Sequence, residues 1–397
     1  MNKPVKKAAP KRARAKAGAD CIEVGGNRLT LITEGPARLD ALLDMIAGAK
    51  ASLRLLFYMF ASDDSGTRVR DALVEAAKRG VEVSLLTDRF GCSDVKPEFT
   101  HALVEAGVTF CQFHPSWGRR YLLRNHQKIA IADQRMGIIG GANITDAYFG
   151  TPEHNDWRDL WLQVEGDSVE RLTVYFDAVM GWALAKGSRM RTLRKIIHFH
   201  SECEGPLQWQ FSGPMRRVSP LAMAMARELN SARKVDIVAA YFSPPRGFIR
   251  RLCKVGHRGR ARVITAAKSD NTATIYAARY SYRRLLRHGV EVFEYQRTKL
   301  HTKLMIVDDV THIGSSNFDY RSLFLNMEVM LRIDDAAFAK RMRGYVDAEV
   351  KDSIQVTRAV YRKRASLWKR IKWALSHWLV TAVDYTVTRR LNFPVEV

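Results

Sequence analysis

Two stretches of the chain, 125–143 and 300–317, carry the same run of reactive side chains. Each reads His-x-Lys-x4-Asp: His126, Lys128 and Asp133 in one, His301, Lys303 and Asp308 in the other. Each continues through small residues to an asparagine, Asn143 or Asn317. With 11 histidines, 64 Lys or Arg and 41 Asp or Glu in 397 residues, chance supplies roughly 0.2 matches even when any base and any acid are allowed. Side chains at i and i+2 of a strand share a face, so each histidine projects beside its lysine. If the two stretches pack as twofold mates, two imidazoles, two ammonium groups and two carboxamides line one pocket. That set suits a phosphodiester. Lys128, Lys303, Asn143 and Asn317 can donate to the equatorial oxygens of a pentacoordinate phosphoryl group. One neutral imidazole can attack phosphorus and form a phosphohistidine, while the other, protonated, releases the leaving alkoxide and then serves as base. The two must titrate differently, which requires different surroundings. Four fixed donors do what a metal does elsewhere, so neither metal nor cofactor is called for.

Other residues near the motifs have plainer readings beside their chemical ones. Asp133 and Asp308 complete the catalytic motif, but each ends a strand just before a turn, five residues past its lysine and so on the opposite face. A turn-holding role is expected of them before direct chemistry. Asp159 and Glu328 occupy matching places after each motif. Each could be a solvated strand end or the carboxylate that orients a histidine. His154 and His312 have no counterpart in the other stretch and read as ordinary. Trp117, Tyr121, Leu122 and Leu123 sit in a seven-residue excess before the first motif, a surface loop or the wall of an entrance.

The elements that must position these groups also repeat. Residues 53–60 read as a buried strand, 66–80 as a helix, 81–88 as a strand, and a further helix ends at Gly107 before a strand at 108–113. The second half answers with strand 235–242, basic helix 247–260, strand 261–267, helix 277–288 and strand 290–295. Tyr58 and Tyr241 end the first strand of each half. Alternation of this kind implies crossover units. The expected fold is α/β: two similar α-β-α sandwich halves with mixed, largely parallel sheets, related by a pseudo-twofold. The repeat is about 175 residues long, a duplicated domain and not a solenoid. The expected division is a basic disordered tail at 1–20, halves at 21–200 and 201–365, and an amphipathic segment at 366–397.

Composition bounds the partners. At 47% hydrophobic and 26% charged the chain is globular, and a net charge of +23 predicts a polyanionic partner, nucleic acid or anionic membrane. The first 16 residues hold seven Lys or Arg and no acid. Five scattered cysteines without a CxxC support neither a disulfide framework nor a zinc site. No secretory signal and no apolar run of transmembrane length is read. Residues 368–393 place Trp, Leu and Val at helical intervals between basic ends, a pattern for a membrane-interface helix or for one docked on the protein's own core.

The paired motifs resemble those of the phospholipase D superfamily, and the flanks GVEVSLLTDRFG (80–91), AAYFSPPRGFIRRL (239–252), GVEVFEYQRTKLHTKLMIVDD (289–309) and GSSNFDYRSLFLNMEV (314–329) resemble its bacterial cardiolipin synthases. The resemblance spans roughly 22–395. It implies two-step, metal-free phosphatidyl transfer with His126 as nucleophile and His301 as acid/base, and a crossed pairing of Glu328 with His126 and of Asp159 with His301. Two departures stand out. A basic tail replaces the membrane-spanning N-terminal hairpin of many members, and Gly140-Gly141 replaces a common Gly-Ser. The resulting expectation is a cardiolipin synthase-type phosphatidyltransferase. It would work between phosphatidylglycerol molecules, releasing glycerol, peripherally on the cytoplasmic face of a bacterial cell membrane. Phospholipase D hydrolysis, a nuclease acting on nucleic-acid phosphodiesters and a non-catalytic basic scaffold are the alternatives. Basic segments beside interfacial aromatics favour anionic lipid over nucleic acid.

Overall fold

The computed structural model describes residues 21–114, 123–154, 156–216 and 218–380. The basic tail, Trp117, Tyr121 and Leu122, and the C-terminal segment from residue 381 lie outside the described residues.

The first half contains strands β1 (Cys21–Val24), β2 (Asn27–Ile32), β3 (Ser52–Phe57), β4 (Glu82–Asp88), β5 (Thr109–Phe113), β6 (Lys128–Ala132), β7 (Met136–Gly140), β8 (Trp157–Arg158) and β9 (Trp161–Glu165). All but β8 form one eight-stranded sheet in the order β1-β2-β9-β7-β6-β3-β4-β5. The second half contains β10 (Leu207–Ser212), β11 (Lys234–Ala239), β12 (Phe242–Ser243), β13 (Arg260–Ala266), β14 (Glu291–Tyr295), β15 (Lys299–Leu300), β16 (Lys303–Val307), β17 (Val310–Gly314), β18 (Phe318–Asp319), β19 (Glu328–Asp334) and β20 (Ser353–Gln355). Its eight-stranded sheet runs β10-β19-β17-β16-β11-β13-β14-β20. The two halves are thus similar mixed α/β units, as the repeat implies.

Within the two eight-stranded sheets, parallel pairing is confined to β3-β4-β5 and β11-β13-β14, a smaller share than the strand–helix alternation suggests. The reason lies in the motif stretches, which are hairpins and not single strands. Asp133 and Gln134 adopt φ of 50° and 59°, and Asp308 a φ of 48°, the left-handed conformation that tight hairpins use. Each motif strand therefore folds straight back on its successor, β6 on β7 and β16 on β17, without a crossover.

Alternation along the motif strands separates the cores. Ile129 and Ile131, with Leu304 and Ile306, join an apolar cluster shared by both halves. The helices Ser168–Leu184 and Ala336–Lys351 contribute to it through Phe176, Val179, Phe338 and Met342. Ala130 and Ala132 face the outer helices of the first half, and Met305 and Val307 those of the second. The halves are also stitched by backbone. β8 pairs in parallel with β15, and Asn125 bridges Met327. The His126 N–H donates to the Met327 carbonyl at 2.9 Å, and the His301 N–H to the Arg158 carbonyl at 2.7 Å. Each histidine is thereby clipped to the residue preceding the other half's carboxylate, the reciprocity expected of a twofold relation.

Candidate active site

Both motif lysines begin their strands. Lys128 is opposite Phe57 at the carboxyl end of β3, and Lys303 opposite Ala239 at the carboxyl end of β11. The site therefore sits at the carboxyl ends of the parallel strands, where open α/β sheets bind ligands. His126 Nδ1 lies 3.0 and 3.1 Å from the Glu328 carboxylate oxygens. His301 Nδ1 lies 2.6 Å from Asp159 Oδ2. Each pair is made across the two halves. Engaging Nδ1 leaves Nε2 of each ring for chemistry. The Lys128 ammonium donates to the His126 carbonyl at 2.6 Å, and Lys303 likewise to the His301 carbonyl.

Burial and mutual charge set an asymmetric site. Burial, then Lys128 and Lys303, hold His126 well below the ordinary imidazole range. Burial and Lys303 outweigh Asp159 and bring His301 to about 3. Burial lowers Lys128 to about 7 and Lys303 to about 8, against the pull of Glu328 and Asp159. The carboxylates part company. Burial pushes Glu328 up to about 8 in spite of Lys128 and Ser315. Burial also works against ionised Asp159, but Lys303 and His301 outweigh it and keep that carboxyl below its usual range. Two identical motifs thus meet two different electrostatic surroundings.

The glycine pair of the first motif has a steric cause. Ser315 donates to Glu328 Oε2 at 2.6 Å. At the matching Gly141, a Cβ would lie 2.6 Å from both carboxylate oxygens of Asp159. The shorter aspartate occupies the space that a serine would need.

Not every motif residue reaches the pocket. Asp133 and Asp308, counted above among the catalytic candidates, lie at the far ends of β6 and β16. Asp133 accepts from the backbone N–H groups of Lys50, Ala51 and Ser52 at 2.7–3.2 Å. Asp308 accepts from those of Arg233 and Lys234 at 2.8–3.3 Å. The five-residue offset from the lysine turns both aspartates away from the histidines and onto the hairpin. Asn143 is buried and accepts from the Met59 N–H at 3.2 Å, while Asn317 is buried with no partner for its Oδ1 among the described residues. His312 is fully buried against Glu228 at 2.5 Å, and exposed His154 faces the Thr151 hydroxyl at 3.3 Å.

Several residues of the site carry no motif. Tyr148 and Trp157 stack at 5.8 Å and flank the His301 ring at 5.1 and 5.2 Å, with the Tyr148 hydroxyl 3.4 Å from Nε2. Tyr58, whose repeat position was visible, lies 5.1 Å from the His126 ring. Asp88 accepts from the Asn125 N–H at 2.7 Å and steadies the residue before His126. The buried guanidinium of Arg38 donates to the carbonyls of Thr33, Asp159 and Tyr148 at 2.6–2.8 Å, fixing the loop that carries Asp159. An isolated arginine in a helix gives no local signal of that task. Among the described residues no group of three or more His, Cys, Asp or Glu could hold a metal ion.

Residues 42–180 and 225–349 match the family described as cardiolipin synthase, PLD-like domain. Over 370 residues the chain is 31% identical to the cardiolipin synthase of Oceanobacillus iheyensis, covering 90% of this chain and 75% of the relative. Over 366 residues it is 32% identical to the major cardiolipin synthase ClsA of Bacillus subtilis, covering 89% and 75%. In fold it is similar to the crystal structure of phosphatidylserine synthase from Haemophilus influenzae Rd KW20. The TM-score is 0.68 at 14% identity, over 91% of this chain and 94% of that one.

Proposed function

This chain belongs to the cardiolipin synthase, PLD-like family and is a phosphatidyltransferase, and we propose that it moves a phosphatidyl group from one phosphatidylglycerol to another through a phosphohistidine on His126. The observation that carries the reading is the crossed pair of histidine–carboxylate contacts with both motif lysines beside them. His126, neutral and held at Nδ1 by Glu328, presents its Nε2 lone pair to phosphorus. As that bond forms, the bond from phosphorus to the glycerol oxygen breaks, and His301 gives the leaving oxygen its proton. In the second step the terminal hydroxyl of another phosphatidylglycerol attacks phosphorus, the phosphorus–nitrogen bond breaks, and His301 takes the hydroxyl proton back. The products are glycerol and cardiolipin. On their own, burial and Lys303 oppose a charged His301. An arriving phosphodiester offsets the lysine charge, and ionised Asp159 then favours the imidazolium that the first step needs.

The substrate resides in a bilayer, and the chain has means to reach one. In the helix Leu367–Trp378, Trp373 is only 4% exposed and packs against Tyr361. Trp368, Ile371, Leu375 and Trp378 form a stripe facing solvent, beside Lys369, Arg370 and Lys372. An apolar stripe with basic neighbours suits an anionic interface. Among the described residues no helix is long and apolar enough to cross a membrane.

The test offers purified protein phosphatidylglycerol vesicles and, separately, plasmid DNA. Cardiolipin and free glycerol in equal amounts, with phosphate on His126 trapped by rapid quench in a His301→Ala variant, are expected. Nicked DNA with untouched lipid would overturn the reading, as would a His126→Ala variant that retains transfer.

A further inference from the structure

A cleft of about 450 Å³ opens between the loop following β13 and the helix Thr272–Arg287. Lys268, Ser269, Thr272, Tyr276, Arg279 and Lys299 line it. Its positive charge is not all committed. Arg279 is held in a two-pronged ion pair with Glu294 at 2.8 and 3.1 Å. The nearby Asp270 carboxylate is engaged by the Tyr241 and Ser269 hydroxyls at 2.9 and 3.0 Å. Lys268 is exposed and makes one long bond, 3.4 Å, to the Arg297 carbonyl, and Lys299 holds its ammonium 5.5 Å above the Trp157 ring.

Trp157 connects this cleft to the chemistry. Its ring is 5.2 Å from that of His301. Ring contacts of 5.5 and 5.2 Å place the Lys299 ammonium within about 11 Å of the His301 ring. In-line displacement at a phosphorus bonded to His126 brings the alcohol in from the opposite side, the side of His301. The leaving glycerol of the first step carries no phosphate. The glycerol that attacks in the second step does. Six bonds separate the two phosphorus atoms across a glycerol bridge, a reach of about 7 Å at ordinary bond lengths. An acceptor whose hydroxyl is at His301 can thus extend its own phosphate toward Lys299.

On the transfer reading above, we propose that this cleft is the acceptor subsite, in which Lys268 and Lys299 bind the phosphodiester of the incoming lipid. It stays empty in the first step and fills in the second. Water and simple alcohols have no group to occupy it, so it biases the phosphohistidine toward a phosphate-bearing glycerol and away from hydrolysis.

The experiment is a competition within one reaction. Phosphatidylglycerol vesicles serve as donor and acceptor, ethanol is the rival acceptor, and the ratio of cardiolipin to phosphatidylethanol is read. In the Lys268→Gln/Lys299→Gln double variant the ratio is expected to fall about tenfold, each single variant falling part of the way, while Lys299→Arg stays within about twofold of wild type. An unchanged ratio would overturn the proposal. So would equal loss of both products in Lys299→Gln and Lys299→Arg, which would assign the lysine to the fold or to the donor. Wild-type protein that makes phosphatidylethanol without cardiolipin would overturn the subsite and leave phosphohistidine transfer standing. Wild-type protein that makes neither would overturn the transfer reading itself.

Discussion

Replacing Asp133 by Asn separates a fold-holding aspartate from a catalytic one. The carboxylate accepts three backbone N–H groups, with Oδ1 taking Ala51 at 2.7 Å and Ser52 at 2.9 Å, and Oδ2 taking Lys50 at 2.9 Å. Asparagine tolerates the left-handed backbone at this turn, where φ is 50°, so conformational strain is not introduced. It keeps one acceptor oxygen without the charge, and its amide group faces the Lys50 N–H. Losing one charge-assisted bond and weakening two more, at a partly exposed site, costs about 2 kcal/mol. The unfolding midpoint then falls by about 4–8 °C for a domain of this size. Asp308→Asn, with two N–H groups at stake, costs about half as much. Burial works against the Asp133 carboxylate, but the three N–H groups outweigh it and hold its pKa below 3.8. Its stabilising contribution is therefore complete above the ordinary carboxylate pKa and is lost as the pH falls through the lower folded value. The gap between wild type and variant is full at neutral pH and closes below about pH 4. Thermal unfolding across that range, with cardiolipin formation measured well below the midpoint, checks both parts. Asp133→Asn that melts like the wild type but loses transfer about a hundredfold would refute the reasoning and return the residue to the chemistry.

Four further outcomes are expected. Gly141→Ser drives a Cβ into the space 2.6 Å from both Asp159 oxygens, so transfer drops at least about tenfold as Asp159 leaves His301, at a stability cost of about 1–3 kcal/mol. Steady-state rates equal to wild type would show that Asp159 has another place to go. Burial lowers Lys128 to about 7 and Lys303 to about 8, and a bound anion favours the charged lysines. Competitive inhibition by inorganic phosphate is thus strong at the acid side of neutrality and weakens as the pH rises through those values, as an inhibition-constant profile would show. Trp368→Ser removes a side chain that is 81% exposed and lowers binding to anionic vesicles without moving the melting point. Trp373→Ala empties a site only 4% exposed and costs about 3 kcal/mol of stability. Flotation and thermal melts distinguish the two.

Much of this molecule is legible from local pattern. The apolar runs and helical intervals place the first strand, crossover helix and second strand of each half within a few residues of β3 and β4 and of β11 and β13. The motif spacing puts His126 beside Lys128 and His301 beside Lys303 because a strand's period of two is a property of the backbone alone. That period also turns Asp133 and Asp308 to other work. Less visible are the hairpins within the motif stretches, whose turns, Asp133-Gln134-Arg135 and Asp308-Asp309, contain no glycine, and the antiparallel share of the sheets follows from those turns.

What no local pattern could decide is which distant groups meet. His301 and Asp159 are 142 residues apart, and His126 and Glu328 are 202 apart. Their contact depends on the shared apolar core and on the crossed backbone pairs that clip one half to the other. The difference between the two carboxylates is likewise tertiary, since each stands at the start of an apolar strand segment, Asp159 just before β9 and Glu328 at the head of β19. Burial of the whole site, the placement of Lys128, Lys303 and Ser315, and the absence of a side chain at Gly141 separate them. Periodicity and motif spacing determined which residues share a face and what chemistry they could perform. Only the packing of the two halves determined how each histidine is partnered and charged, because a pKa depends on the desolvation and neighbouring charges that folding assembles.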